Sequence, residues 1–280
     1  MLPRVILPVA LLLAALPGAA GELVLPVFAH NVAGRNGDLW SSEIYLTNPG
    51  EQPVLVEIAR FLPGQIDRPA PCDQFMSPTR VVPPRSATVW TASGLATDLG
   101  CAETARGGLV LRADGPIHVT SRLVNFSSPD DSGPSAVLSG RGEAVEAVPI
   151  EALPSAGTHL LPALLWHRNP CDGPEFDTSV GFANPGPDPV TVVIDIPDEH
   201  GRAVSLNGRD VYLPYQIEVA AASWQQLRLA PAREEGADCG GVESFLVRVE
   251  ISAPLAIYAS VIDRTSGDPR TVAPVSIPGD

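Results

Sequence analysis

The four cysteines are the residues of this sequence best suited to covalent chemistry. They are Cys72, Cys101, Cys171 and Cys239. In an exported chain, four cysteines indicate two disulfides, for which three pairings are possible. An internal repeat, described below, aligns Cys101 with Cys239, so we expect pairing within each repeat: Cys72 with Cys101, and Cys171 with Cys239. No two cysteines have the CxxC spacing of a zinc site, and the only histidine at a ligand interval from a cysteine is His167.

Two histidines that occupy matching places beside acidic residues suggest a second kind of chemistry. His30 follows "LPVFA" and precedes Asp38. His167 follows "LPALLW" and precedes Asp172 and Asp177. An imidazole with neighbouring carboxylates can hold a metal ion or transfer protons. A strand-end histidine that bonds the following loop is the commoner arrangement, so we expect neither a resident metal nor a cofactor.

Other catalytic signatures are weak or missing. The loops "SSPDDSG" around Asp130 and "SGDP" around Asp268 lack the ordered alternation and closing Glu of a calcium-binding EF-hand. The GxSxG elbow of hydrolases and the glycine-rich phosphate loops are absent. A Ser-His-Asp triad built from distant residues stays open. We expect a protein that is not an enzyme. The alternative is a hydrolase with a site at an inter-domain cleft, marked by two carboxylates about 5 to 10 Å apart.

The tryptophans raise the possibility of carbohydrate binding. If exposed on a sheet, Trp40, Trp90, Trp166 and Trp224 can form a sugar-stacking platform, as in carbohydrate-binding modules. In the internal repeat, however, Trp40 aligns with Phe176 beside alternating apolar positions. This favours packing in a core or at a sheet edge, and a glycan-binding module stays the alternative.

The net charge limits the classes of partner that the protein can bind, and the N-terminal sequence indicates where the protein is located. The 18 basic residues are all Arg, and with 32 acidic residues the net charge is −14, so like charge disfavours nucleic acid and anionic membranes. Arg4, the apolar run "VILPVALLLAALP" and the small residues "GAAGE" predict a signal peptide over residues 1–21. That run is shorter than the roughly 20 residues that span a bilayer, and no later stretch is long enough. We expect a secreted or periplasmic bacterial protein without a membrane span.

One motif occurs twice and sets the domain organisation. "NPGEQPV" begins at Asn48, and "NPGPDPV" begins at Asn184. With small gaps the flanking segments also align, "LWSSEIYLTNPG" over "EFDTSVGFANPG" and "DGPIHVTSRLVN" over "SAPLAIYASVID". The period of about 137 residues is far longer than that of solenoid or propeller repeats. The sequence therefore predicts two duplicated domains, residues 22–153 and 154–280.

Within each predicted domain the apolar pattern has period two. Val54, Val56 and Ile58 alternate with polar or exposed positions, as half-buried strands do. The NPG motif predicts a hairpin turn of type II, in which Gly50 takes a positive φ. Helix-like stretches are limited to "ASGLATDLG" and "LAPAREEGA", each predicted as a single turn. We therefore expect an all-β protein, with two tandem immunoglobulin-like β-sandwiches of roughly seven to nine strands each after the signal peptide.

Three segments resemble a known group of proteins. An "H…G…W" entry, "LTNPGEQPVLVEI" and the closing "YASVIDRTSGDP" are similar to uncharacterised tandem β-sandwich repeats in exported proteins of GC-rich bacteria. The first domain departs from that pattern at "VTSRLVNFSSPDDSG". The resemblance implies architecture and export, and it carries no activity or functional residues. We expect an exported, non-enzymatic binding or structural protein that presents loops or sheet edges to a protein or glycan partner.

Overall fold

The computed structural model describes residues 21–33, 39–64, 72–73, 76–101, 104–126, 142–167, 176–232, 241–263 and 269–277. The predicted signal peptide therefore lies outside the described residues, apart from Gly21. The first half contains β1 (Gly21–His30), β2 (Val32–Ala33), β3 (Leu39–Asn48), β4 (Val54–Pro63), β5 (Thr79–Val82), β6 (Ser86–Trp90), α1 (Ala92–Asp98), β7 (Ala105–Ala113), β8 (His118–Phe126), β9 (Gly142–Glu146) and β10 (Val148–Pro149). The second half contains β11 (Gly157–His167), β12 (Phe176–Asn184), β13 (Val190–Asp195), β14 (Ala203–Leu206), β15 (Arg209–Tyr212), β16 (Tyr215–Val219), β17 (Ser223–Pro231), β18 (Val242–Ile251), β19 (Ala256–Asp263), β20 (Pro269–Val272) and β21 (Val275–Ser276). The prediction of an all-β protein is confirmed.

The strands form four antiparallel sheets, two from each half. Sheet A has the order β10-β1-β7-β4-β5, and sheet B has the order β2-β3-β8-β9 with β6 also paired to β3. Sheet C has the order β15-β14-β17-β12-β19-β20, and sheet D has the order β16-β13-β18-β11-β21. Strand for strand, sheet D repeats the order of sheet A, and β17-β12-β19-β20 of sheet C repeats β6-β3-β8-β9 of sheet B. The hairpin β14–β15 of the second half has no counterpart among the described strands of the first half.

Three apolar clusters stack the sheets in the order B, A, C, D. One cluster fills the space between sheets A and B and includes Ile58 and Trp90, and another lies between sheets C and D around Phe182 and Val249. A third cluster joins the outer faces of sheets A and C. Sheet A is thus covered on both faces, which explains why Leu23–Ala29 of β1 are buried without alternation. The described residues form one continuous block rather than two separate lobes.

Local patterns account for most of the elements. In β4 the side chains of Val54, Val56 and Ile58 are buried while Leu55 is exposed, as the period-two pattern predicts. Helix α1 begins at the predicted "ASGLATDLG" segment because Thr91 caps it, its hydroxyl accepting a hydrogen bond from the Gly94 amide at 3.3 Å. The start of the second helix-like stretch, residues 229–231, instead belongs to β17, and residues 233–237 lie outside the described part.

The predicted hairpin at the NPG motif is wrong in two respects. Strand β3 lies in sheet B and β4 in sheet A, so the motif turns the chain from one sheet to the other rather than joining paired strands. Gly50 and Gly186 are not among the residues with positive φ. A Cβ on either glycine would instead lie 3.1 Å from the Oδ1 atom of the preceding Asn48 or Asn184. Glycine is used here because the asparagine side chain approaches it closely.

These two asparagines hold the ends of the sheets together. Asn48 is 1% exposed; its Nδ2 donates to the carbonyl oxygens of Gln52 at 2.7 Å and of Val82 and Pro83 at 3.1 Å. Its Oδ1 accepts from the Gly50 amide at 2.8 Å. Val82 ends β5, where the chain crosses from sheet A back to sheet B. The side chain of Asn48 therefore forms hydrogen bonds at both places where the chain passes between these sheets.

The second half reproduces this corner. Asn184 is also 1% exposed, and its Nδ2 donates to Asp188 at 2.8 Å, Val219 at 3.3 Å and Ala220 at 3.0 Å. Its Oδ1 accepts from the Gly186 amide at 2.9 Å. The same four hydrogen bonds therefore occur at both NPG motifs.

A close approach within sheet C makes Gly181 sensitive to substitution. Gly181 pairs across strands with Tyr258, and a Cβ at this glycine would lie 2.0 Å from Cε1 of the buried tyrosine ring. We expect Gly181→Ala to lower the free energy of unfolding by about 2 kcal/mol, because the buried tyrosine ring must move out of its packed position to admit the Cβ. Urea denaturation monitored by circular dichroism measures this. Gly241→Ala is the control, since nothing lies within 4 Å of its Cβ position, and an equal loss in both variants would contradict the steric argument.

A candidate binding cavity between the two halves

A cavity of about 150 Å³ lies where sheets A, B and C meet. Residues of β1, β3, β8, β17 and β19 form most of its wall, so both halves of the chain are needed to enclose it. The wall is largely apolar and includes Phe28, Trp40, Leu123, Trp224, Tyr258 and Ile262. Concave, largely apolar clefts of this kind are typical of small-molecule sites.

Among the described residues that line the cavity, one has a carboxyl side chain, Glu143 of β9. Glu143 is only 7% exposed, and the Ser260 hydroxyl donates a hydrogen bond to its Oε2 at 3.3 Å. Its other oxygen, Oε1, is buried and has no hydrogen-bond partner among the described residues. Burial raises the pKa of Glu143 to about 7, although the neighbouring hydroxyls of Thr271 and Ser260 and the positive charge of Arg270 oppose the rise. A buried carboxyl oxygen is thus available to a ligand.

Trp224 and Tyr258 connect this cavity to the interface between the halves. The Trp224 indole N–H donates to the carbonyl oxygen of Pro26 at 2.8 Å, across the boundary between sheets C and A. The Tyr258 hydroxyl is buried beside this indole without a hydrogen-bond partner in the described structure, and burial raises the pKa of its phenol. Arg60 adds a second link by donating to the Pro185 carbonyl at 2.8 Å. These contacts fix the two walls of the cavity relative to each other.

A more polar cavity of about 380 Å³ adjoins the first. The two share Arg106, Trp224 and Gln226 in their linings. The second is also lined by Asn207 and by Arg228, which forms an ion pair with Asp177 at 2.5 Å. The cleft between the halves therefore has an apolar part with a carboxyl group and a polar part with arginines.

The raised pKa of Glu143 predicts how stability depends on pH. Between the ordinary glutamate pKa of 4.5 and about 7, the folded protein binds more protons at Glu143 than the unfolded chain does. Stability contributed by this group is therefore lost as pH rises through that window, by on the order of 2 kcal/mol between pH 5 and 7. In Glu143→Gln we expect that decline to disappear from urea-denaturation curves measured across the window. Glu146→Gln, at an exposed position of the same strand, should keep this decline. An identical pH profile for wild type and Glu143→Gln would contradict the assignment.

Among the described residues, the histidine and aspartate candidates are not grouped as the ligands of a metal ion. His30 ends β1, where burial lowers the pKa of its imidazole and its Nε2 lies 3.3 Å from Asn31 Nδ2. His167 ends β11, and Asp177 of β12 pairs with Arg228. Within the described ranges, no group of three His, Cys, Asp or Glu side chains is placed to hold a metal ion. The other two candidates, Asp38 and Asp172, lie outside those ranges, as do the loops around Asp130 and Asp268.

Three of the four tryptophans are core residues. Trp90 is fully buried and its indole donates to Asp98 Oδ2 at 2.8 Å. Trp166 is 2% exposed and stacks on Phe245 with ring centroids 4.1 Å apart. Trp224 is 4% exposed at the interface of the halves. These three cannot form an exposed sugar-stacking platform, whereas the half-buried Trp40 lines the cavity.

The cysteine prediction is confirmed for the first pair. Cys72 and Cys101 form a disulfide that closes a loop over a sequence separation of 29. The predicted partners Cys171 and Cys239 lie outside the described residues. In the part of the chain that the structure describes, no helix is long and apolar enough to cross a membrane.

Glu143 and Tyr258 are site residues that the sequence does not predict. Glu143 occupies an inward position of β9, the same side of the strand as the buried Val145. An acidic residue at an inward position is a usable signal, but "GEAVE" is too short to show which of its faces is inward. Tyr258 lies in the closing segment "YASVID", where nothing distinguishes a tyrosine over a cavity from one in a core.

Comparison with known proteins adds little to this geometry. No protein-family model matches this chain, and no curated protein matches it. Among solved structures, a Thermotoga maritima protein, 1070, is 14% identical with a TM-score of 0.27, over 46% of this chain and 100% of that one. The C-terminal domain of the Streptococcus pyogenes antigen I/II-family protein AspA is 6% identical with a TM-score of 0.21, over 92% of this chain and 98% of that one. Likenesses this weak carry no argument about function.

Proposed function

We propose that this chain is an exported, non-enzymatic binding protein of two tandem immunoglobulin-like β-sandwiches, residues 22–153 and 154–280, and that it binds a small ligand between them. The observation that carries the proposal is the cavity walled by both halves, with the buried oxygen of Glu143 inside it. A preformed apolar pocket with a few convergent polar groups is the usual form of a ligand site.

The proposed duplication of one domain is supported by the strand orders of the sheets and by the hydrogen bonds at the two NPG motifs. The strand orders of sheets A and B recur in sheets D and C, and the hydrogen bonds of Asn48 recur at Asn184. Nine strand positions match, five between sheets A and D and four between sheets B and C, and a buried asparagine matches as well. Unrelated halves would rarely share so many features. The resemblance of the closing segment to tandem sandwich repeats agrees with this proposal.

Export is supported by the N-terminal sequence and by the first disulfide. Residues 1–21 have the charged, apolar and small-residue regions of a signal peptide. The disulfide between Cys72 and Cys101 is compatible with an oxidising compartment outside the cytoplasm. We propose a secreted or periplasmic location on these two grounds.

Binding is favoured over hydrolysis by the composition of the cleft. The described linings of the two cavities supply aromatic walls, hydroxyls, amides and arginines, but a single carboxyl group, that of Glu143. Two-carboxylate glycoside hydrolysis requires a second acid about 5 to 10 Å away. A glycan ligand in the cleft would contact Trp40 and Trp224, because Trp90 and Trp166 are buried in the cores and do not line either cavity.

The experiment is a thermal-shift screen of the oxidised mature protein with benzene, indole, cyclohexanol and common monosaccharides. A compound that binds only the folded state raises the melting temperature by mass action. We expect single-ring compounds to raise it in the wild type and to lose this effect in Leu123→Trp, which fills the cavity. Leu55→Trp is the matched control, because Leu55 is exposed on β4 away from the cavity. The proposal fails if no compound shifts the wild type, or if both variants respond as the wild type does.

A second candidate function is presentation of the β5 edge to a protein partner. Val81 of this edge strand is 61% exposed and lies opposite Leu55, which is 41% exposed. Exposed apolar side chains beside unpaired backbone groups are a template for strand addition. A partner captured from the cell envelope by the wild type and by Leu123→Trp, but not by Val81→Asp, would favour this function over the cavity.

A further inference from the structure

We infer that the cavity between the halves selects a single-ring ligand that carries an ammonium group, and that Glu143 binds this group. The inference rests on the proposed function, since it requires the cavity to be a ligand site. It goes further by assigning the class of ligand and the residue that recognises its charge.

The size of the cavity limits the ligand to about one ring. An apolar cavity of about 150 Å³ accommodates benzene, and the cavity here has about this volume. The wall supplies the aromatic side chains of Phe28, Trp40 and Trp224, which match a ring in shape and polarity. A larger ligand would have to extend into the adjoining polar cavity.

The buried carboxyl group of Glu143 requires a hydrogen-bond donor from the ligand. The side chain is more than nine-tenths buried, and only its Oε2 has a hydrogen-bond partner, the Ser260 hydroxyl. Its Oε1 has none in the described structure. A buried carboxylate is stabilised chiefly by a positive charge and by donors on each oxygen. A ligand ammonium placed at Oε1 provides both.

The positions of the charged groups around the cavity favour a cation as the ligand group that pairs with Glu143. Arg270 is near enough to lower the pKa of Glu143, but its guanidinium donates to the Ala163 carbonyl outside the cavity lining. Arg106 lines the cavity where it adjoins the polar one and opposes a cation there. The ammonium must therefore lie on the Glu143 side, where the aromatic walls also attract a cation. The net charge of −14 favours the approach of cations from solution.

The test compares three probes of one shape, benzylamine, benzyl alcohol and toluene, by isothermal titration calorimetry at pH 8. We expect benzylamine to bind at least tenfold more tightly than the two neutral probes. In Glu143→Gln we expect this preference to vanish while toluene binding is unchanged. Glu146→Gln, the exposed neighbour on β9, is the control and should bind all three as the wild type does. Both variants lose one carboxylate and have the same net charge. A difference between them therefore reports pairing of the ammonium with Glu143 and not the overall charge of the protein.

The pH dependence gives a second readout. Because benzylamine pairs with ionised Glu143, its apparent affinity should rise about tenfold from pH 6 to pH 8, whereas toluene affinity should stay flat. Toluene and benzyl alcohol binding as tightly as benzylamine, with no effect of Glu143→Gln, would overturn the ammonium inference and leave the cavity as a ligand site. Failure of all three probes to bind would overturn the proposed function together with it. Near-ultraviolet circular dichroism confirms that each variant is folded.

Discussion

Replacing Trp224 with Ala is expected to lower the free energy of unfolding by about 3 to 5 kcal/mol, the range for removing a large buried aromatic side chain. Trp224 is 4% exposed and packs with residues of both halves. The substitution also leaves the buried carbonyl oxygen of Pro26 without the indole N–H that lies 2.8 Å away. Because this side chain joins sheets A and C, we also expect one calorimetric transition in the wild type and two in Trp224→Ala.

Two control variants separate the loss of packing at Trp224 from the loss of its hydrogen bond to Pro26. Trp224→Phe keeps most of the packing and loses the hydrogen bond, so it should cost about 1 to 2 kcal/mol and keep one transition. Tyr212→Ala, at a side chain that is 74% exposed, should change stability by less than about 0.5 kcal/mol. A loss below 1 kcal/mol in Trp224→Ala would show that the stacking of the halves does not depend on this residue.

Replacing Asn48 with Ala is expected to cost about 3 kcal/mol, a large effect for so small a side chain. The substitution removes four hydrogen bonds and leaves the carbonyl oxygens of Gln52, Val82 and Pro83 without this donor at a buried corner. Asn184→Ala should have a similar effect because its hydrogen bonds are the same. Both losses are measured by urea denaturation, and in the double variant they should add, since the corners share no partners.

Asn48→Asp tests the direction of these hydrogen bonds. The variant keeps an acceptor for the Gly50 amide but places a carboxylate oxygen against three carbonyl oxygens. This raises the pKa of the new carboxyl group, so the variant should be least stable at neutral pH and should regain stability as pH falls. Thr47→Ala at the exposed neighbouring position is the control. Equal stability of Asn48→Asp and wild type at pH 7 would show that the amide is not the donor.

The sequence by itself determined the all-β class and one crosslink, and it predicts an internal repeat. Alternation at Val54, Val56 and Ile58 is sufficient to place β4 because a pleated strand exposes every second side chain to each face. The helix-like stretch "ASGLATDLG", predicted as a single turn, coincides with α1 for an equally local reason, since Thr91 caps its first residues in the structure. The pairing of Cys72 with Cys101 followed from their place within one repeat. Each of these signals depends on neighbours within the same short segment.

Only the tertiary structure decided how the sheets are stacked, what the NPG motif does and where a ligand site lies. A buried run such as Leu23–Ala29 shows that both faces are covered, but it carries no information about which sheet covers them. The role of Asn48 depends on carbonyl groups at the end of β5, which lie more than thirty residues away along the chain. The cavity at Glu143 requires side chains of both halves, including Ser260 at a separation of 117 residues. Local pattern encodes which side of a strand is buried, whereas the identity of the group packed against it depends on contacts between distant segments.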